Sequence, residues 1–161
     1  MILLMSLRNL DFEDQKLMAA CGVHCGVCPY FIADKSHDQR LKEKLAASIG
    51  MKPEQVECEG CNSEAPIFFC KTCDIKNCVQ EKNMESCAEC EEYPCKHIED
   101  YPYKPFIQRE KWDVTYRKKH GDQEWLKITQ QLNTCPSCEA IAHWKARYCK
   151  ACGRKLEERY V

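Results

Sequence analysis

Two Cys-x-x-Cys pairs near the C-terminus constrain this chain more than any other feature: Cys135-Pro-Ser-Cys138 and Cys149-Lys-Ala-Cys152, ten residues apart. Each pair can wrap half of a tetrahedral ion, and the turn inside it aims backbone amides at sulfur, offsetting thiolate charge. Gly153 directly after the second pair permits the left-handed backbone that closes such a turn. Ile141 to Tyr148 suits a short hairpin between the pairs. Residues 134–157 therefore read as a zinc ribbon.

Eleven further cysteines precede a cysteine-free gap from Lys96 to Thr134, for fifteen in 161 residues. They are Cys21, Cys25, Cys28, Cys58, Cys61, Cys70, Cys73, Cys78, Cys87, Cys90 and Cys95. An odd total cannot pair off completely in disulfides within one chain. The start, Met1 to Arg8, lacks a basic n-region and its apolar run is too short for a signal peptide. No stretch reaches the length of a membrane span. The expected compartment is thus the cytoplasm, where structural disulfides are rare and metal binding is the better use of thiols. Leu, Ile, Val and Phe together supply only 30 of 161 residues. A core that thin needs another source of cohesion, and bound metal can provide it. The predicted fold class is a small, irregular, metal-stabilised α+β protein, with short helices around cysteine knuckles and a C-terminal zinc ribbon. The expected domains are a cysteine-rich unit over 1–100, a helical connector over 101–133 and the ribbon module over 134–161.

Helix signals are clearest in two places. Ser36 with Gln39 forms a capping box, Leu41, Leu45 and Ile49 make one apolar stripe, and Gly50 is a suitable stop. Asp122 is the expected N-cap of a helix to Leu132, with Trp125, Ile128 and Leu132 on one face. Shorter turns are expected to begin at Pro29 and Pro94. Residues 11–19 are a further helix candidate, and Tyr101 to Phe106, spaced by prolines, reads as extended. Trp112, Trp125, Tyr101, Tyr103 and Phe106 are expected to pack the connector onto the first unit.

The eleven N-terminal thiols fill two four-cysteine sites and leave three over. A third site needs a histidine, with His24 and His97 as the candidates, or an iron–sulfur cluster, or else one thiol is free. His37, His120 and His143 read as ordinary surface or hairpin residues. Cys21-x-x-x-Cys25-x-x-Cys28 has the spacing of the four-iron clusters in radical enzymes that use S-adenosylmethionine, but Val27 stands where those motifs carry an aromatic residue. Pro29 after Cys28 matches the proline that follows a ligand in ferredoxin loops. Glu57, Glu59, Glu89, Glu91 and Glu92 crowd the cysteines; carboxylates there raise thiol pKa and argue for metal rather than a nucleophilic cysteine.

The motifs Ala20-Cys21-Gly22-x-x-Cys25-x-x-Cys28-Pro29, Cys58-x-Gly60-Cys61, Cys70-x-x-Cys73-x-Ile75-x-x-Cys78 and Asn83-Met84-Glu85-Ser86-Cys87-Ala88-x-Cys90-x-Glu92-Tyr93-Pro94-Cys95 resemble the bacterial and archaeal cysteine-rich family termed domain of unknown function 3795. The resemblance covers roughly residues 19–100 and implies a small metal-binding domain with no assigned activity. The ribbon lies outside it.

Charge divides along the chain: residues 1–100 carry a formal −7 and residues 101–161 a formal +6. Arg117, Lys118 and Lys119 form a basic run, and Lys145, Arg147, Lys150, Arg154 and Lys155 decorate the ribbon beside Trp144 and Tyr148. Such a mixture suits nucleic acid, or it serves only to solvate a small module. The expected function is a zinc protein carrying three or four ions that presents a surface to protein or nucleic acid. The alternatives are an iron–sulfur redox protein or enzyme partner, and thiol-rich metal storage or sensing. No hydrolytic triad, phosphate loop or dinucleotide turn is present, so no catalytic residue is assigned.

Overall fold

A computed structural model describes residues 7–160; the apolar start from Met1 to Met5 lies outside them. Among the described residues the regular structure is helical. It comprises α1 (Pro29–Lys35), α2 (Gln39–Ile49), α3 (Phe68–Lys71), α4 (Asp74–Glu81), α5 (Lys96–Glu99), α6 (Lys104–His120) and α7 (Asp122–Asn133), with four single 3-10 turns. No extended strand occurs among these residues; three isolated bridges are the only β pairing there. The expected α+β class is therefore corrected to a mostly helical one. None of the described helices is long and apolar enough to cross a membrane.

Local chemistry sets the helix ends. Pro29 opens α1, where its fixed φ suits the first turn and its missing N–H costs nothing. Ser36 ends α1 and donates from Oγ to the Ile32 carbonyl at 2.6 Å. It is thus not the cap of α2. That role falls to Asp38, whose carboxylate accepts from the Leu41 amide at 3.0 Å. Gly50 stops α2 in the left-handed region at φ 69°. Residues 11–19 hold only a 3-10 turn at Gln15–Leu17, capped by Asp14. Tyr101 to Tyr103 stay non-helical, but α6 starts at Lys104 because Pro105 fits its first turn. The Pro94 turn is delayed to α5, which begins at Lys96.

One apolar cluster joins most of the chain. Leu17, Phe31, Ile32, Ile67, Ile75, Val79, Ile98, Ile107 and Val114 are buried together, with Cys25, Cys58, Cys61 and Cys87 among them. Thiols thus occupy volume that aliphatic side chains fill in a richer core. Ile107 and Val114 belong to α6, so the segment expected to connect two units contributes to the first one's interior. A smaller cluster of Ala33, Ala46 and Val56 joins α1 to α2.

Gly22 shows how closely α6 approaches: at φ 104°, an added Cβ would lie 2.5 Å from Val114 Cγ2. The same face of α6 carries a charged ladder. Arg109 and Asp113 are 3 % and 0 % exposed and meet side by side, Nε to Oδ2 at 2.5 Å and Nη2 to Oδ1 at 3.0 Å. Trp125 of α7 donates from Nε1 to Asp113 Oδ1 at 2.7 Å. Arg117 stacks over the Trp125 ring at 4.3 Å and binds Asp122. Asp122 is therefore an ion-pair partner, and Gly121 stands at the N-cap of α7. The buried face of α7 is Trp125, Leu126, Thr129 and Asn133, turned away from the expected Trp125, Ile128, Leu132 stripe.

Candidate metal centre

The C-terminal cysteines meet as a group. Cys135, Cys138, Cys149 and Cys152 bring their sulfurs within 4.8 Å of one another. Cys135 Sγ lies 3.7 Å from Cys152 Sγ, and Cys138 Sγ lies 3.5 Å from Cys149 Sγ. Four sulfurs about 2.3 Å from one tetrahedral ion stand about 3.8 Å apart, so the quartet is able to hold a metal ion. Backbone prepares it. Burial would raise the Cys135 thiol, but the amides of Ser137 and Cys138, with the Cys149 and Cys152 thiols beside it, hold it down at about 7. The amides of Ala151 and Cys152 serve Cys149 in the same way, although burial and the neighbouring thiols push Cys149 up to about 12. Gly153, at φ 75°, closes the second turn, and its N–H donates to the Cys149 carbonyl at 2.8 Å.

The expected hairpin between the pairs does not form. The bridges Thr134 with Ile141 and Tyr148 with Lys155 close each knuckle separately. The intervening backbone bonds elsewhere: Ile141 N–H to the Leu7 carbonyl at 3.0 Å, Ala142 N–H to Asn133 at 2.7 Å and Trp144 N–H to Val27 at 2.9 Å. These bonds tie the quartet to the rest of the molecule and remove the donors that a ribbon strand would use.

The N-terminal thiols form a looser assembly. Cys25, Cys58 and Cys61 sit inside the main core, with Cys21, Cys28, Cys70 and Cys73 packed on it. The Cys61 amide lies 3.3 Å from Cys25 Sγ. Gly60 lets that turn press on the chain before it: at φ 107°, a Cβ there would fall 2.5 Å from the Lys16 carbonyl oxygen. Burial first, then the neighbouring thiols, push Cys21, Cys25 and Cys70 well up and Cys28 to about 11. The amides of Tyr30 and Phe31, at the start of α1, point at Cys28 and oppose that rise. Cys87 is raised to about 12 by burial, by Glu110, and by Cys95, Cys90 and Cys78 around it. Lys82 Nζ approaches Cys90 Sγ at 3.9 Å. None of these eleven belongs to a group as tight as the C-terminal quartet among the described residues.

The two candidate histidines are placed differently. His24 is 1 % exposed, and both its ring nitrogens are engaged: Nε2 with the Phe12 carbonyl at 2.9 Å and Nδ1 with the Gly26 amide at 3.0 Å. It caps a 3-10 turn and offers no lone pair to a metal, which corrects its candidacy. His97 lies exposed on α5. His143, expected as a hairpin residue, has a buried Nδ1 without a partner among the described residues.

Burial lowers His24 from its ordinary 6.5 to about 4. The unfolded chain takes up this proton near 6.5 and the folded one only near 4. The stabilisation is therefore complete above pH 6.5 and is lost as pH falls toward 4, by up to about 3 kcal/mol. His24→Asn keeps an acceptor for Gly26 and removes the titration. In urea titrations at several pH values, the variant is expected to lose less stability than the parent between pH 6.5 and 4.5. Parallel curves would exclude His24 as the source of the slope.

The basic residues divide among buried, bonded and exposed positions. Arg117 is 5 % exposed and bonds the Gly22 carbonyl at 3.1 Å, so its place in a surface patch is corrected. Lys118 donates to the Cys90 carbonyl at 2.6 Å, while Lys119 is exposed. Lys145 binds the Tyr103 hydroxyl, Lys150 pairs with Asp38 at 2.5 Å and Arg154 binds Ser137 Oγ at 2.7 Å. Arg147 and Lys155 are exposed.

Sequence reasoning missed Glu110. It is 0 % exposed, accepts from the Tyr93 hydroxyl at 2.8 Å on Oε2, and has no partner on Oε1 among the described residues. It raises both Cys21 and Cys87. The carboxylates expected to crowd the thiols are occupied otherwise in two cases, Glu59 with Lys35 and Glu92 with Lys82 at 2.5 Å. The available signal was Arg109, Asp113 and Arg117 at four-residue spacing, which marks a helix face bearing alternating charge; Glu110 flanks that face.

Fold and site together define a small, mostly helical, cysteine-rich protein with a cysteine cluster able to bind metal. Residues 17–100 match the family described as "Protein of unknown function (DUF3795)", and the chain belongs to that family. No curated protein and no solved structure matched the chain. The quartet and α6 with its buried charges lie outside the matched residues.

Proposed function

We propose that this chain is a zinc-bound scaffold that presents a surface to a partner. The observation that carries the reading is the approach of four sulfurs within 4.8 Å, with pairs at 3.5 and 3.7 Å. Four thiolates complete a tetrahedral zinc and leave no open position for substrate, which suits structure rather than catalysis. Amides aimed at Cys135 and Cys149 are the outer support that such sites use. The N-terminal thiols extend the same logic. Buried and mutually repelling as thiolates, they need either protons or cations, and bound metal supplies the latter.

The N-terminal unit also favours a second reading, an iron–sulfur centre. Its thiols gather in one interior, yet among the described residues no three approach as closely as the C-terminal four. A polynuclear core puts iron and sulfide between its cysteine ligands and holds them farther apart than a single ion does.

Native protein purified without oxygen separates the two. Elemental analysis by plasma mass spectrometry is expected to give three or four zinc per chain and no absorbance near about 400 nm. Iron with that absorbance and zinc near one equivalent assigns the N-terminal centre to iron–sulfur. Absence of any tightly held metal overturns both readings and leaves thiol storage or sensing.

A further inference from the structure

A groove of about 820 Å³ runs between α1–α2 and the C-terminal knuckles. That volume is in the range of small-molecule sites, which combine an apolar lining with a few polar groups. Pro29, Ile32, Leu41 and Leu45 line one side, and Ile141, Ala142 and Ala146 the other. Arg40, Lys44, Lys145, Arg147 and Lys150 stand around it against one carboxylate, Asp38. Asp38 is already committed to Lys150 and to the Leu41 amide. Arg40, Lys44 and Arg147 have no ion-pair partner among the described residues. His143 also lines the groove, but its Nδ1, without a partner among the described residues, is sealed from it.

We propose that this groove binds a small amphipathic anion, a free single-chain molecule with an apolar body and one carboxylate head. The apolar walls take the body, and the unpaired cations take the head. Charge complementarity excludes a cationic amphiphile of the same shape. A phosphate asks for several fixed donors. The cations here are exposed, unpaired side chains, and Asp38 occupies the Leu41 amide at the start of α2, so a singly charged carboxylate is the match. One aromatic side chain, Tyr148, lines the groove, whereas a single-strand nucleic-acid channel stacks successive bases on several.

The test uses the full metal-loaded chain and dodecanoate below its micelle concentration, followed by calorimetry and amide shifts. The expected result is saturable one-to-one binding, with shifts confined to residues 36–45 and 140–151. The double variant Arg40→Ala/Lys44→Ala changes exposed side chains only and is expected to weaken binding about tenfold or more. Dodecyltrimethylammonium, with the same tail and the opposite head, is expected not to bind there. Absence of saturable binding, equal binding of both amphiphiles, or an unaltered double variant each overturns the proposal. So does binding only to phosphatidylglycerol vesicles, which assigns the groove to a membrane surface. Binding only after removal of residues 2–6 assigns it to the chain's own start and overturns it equally. Metal content measured on the same samples reports on the zinc reading independently.

Discussion

Cys149→Ser/Cys152→Ser is expected to remove one equivalent of metal and to unfold the chain from about Thr134 onward. Only Cys135, Ala140 and Cys149 are buried in the apolar cluster of this region, too few to hold it unaided. A structural zinc site of four thiolates contributes on the order of 10 kcal/mol gross in small peptides, so nothing local replaces it. The damage extends further than the pairs themselves. Arg159 binds the carbonyls of His143, Ala146 and Leu132, while Tyr160 bonds Asn133 and covers Arg109 with its ring at 3.4 Å. Loss of the quartet releases that cover. Amide exchange is expected to accelerate over 134–157 and, more weakly, at the end of α7, while amides around Ile75 and Ile98 stay protected. Full metal content in the double variant would show that the quartet holds no ion. Loss of two or more equivalents would show that the N-terminal centre depends on it.

Legibility in the sequence followed how local the cause was. The quartet, the Gly153 turn, the Pro29 start and the Gly50 stop each depend on residues within a few positions, and each was readable. The cap of α2 was not. Ser36 and Asp38 are both good capping residues, and propensity does not choose between them; Asp38 also pairs with Lys150, more than a hundred positions away. The face of α7 was misread because apolar residues were equated with buried ones. Trp125 turns toward Asp113 of α6, and the polar Thr129 and Asn133 are buried on the same helix while Ile128 and Leu132 are only half-buried. The ribbon hairpin failed for a non-local reason, since the carbonyls of Leu7, Val27 and Asn133 claim its donors. Which N-terminal cysteines share a neighbourhood depends on how α3, α4 and α5 return to α1, and no spacing rule encodes that path.

The ladder on α6 yields the other large expected effect. Asp113→Ala leaves Arg109 inside the protein without its counter-charge, and removing one partner of such a pair costs roughly 3–5 kcal/mol. Arg109 has little to fall back on: its Nη1 already lacks a partner among the described residues, and what remains are the Tyr160 and Trp112 rings. Trp125 loses its acceptor in the same step. Asp113→Asn keeps an oxygen for Trp125 and the shape of the site but not the charge, so its cost is expected to be the smaller of the two. Urea unfolding at pH 7 ranks them. A cost below about 1 kcal/mol for Asp113→Ala would mean that water or a surface route relieves Arg109, contrary to its 3 % exposure. The apolar replacement Arg109→Met/Asp113→Leu then measures the pair itself. If it recovers most of the stability lost by Asp113→Ala, the ion pair stabilises little in net terms. Its place between α6 and α7 is then a matter of which helix faces meet, since a charged pair forbids the registers that an apolar seam would tolerate.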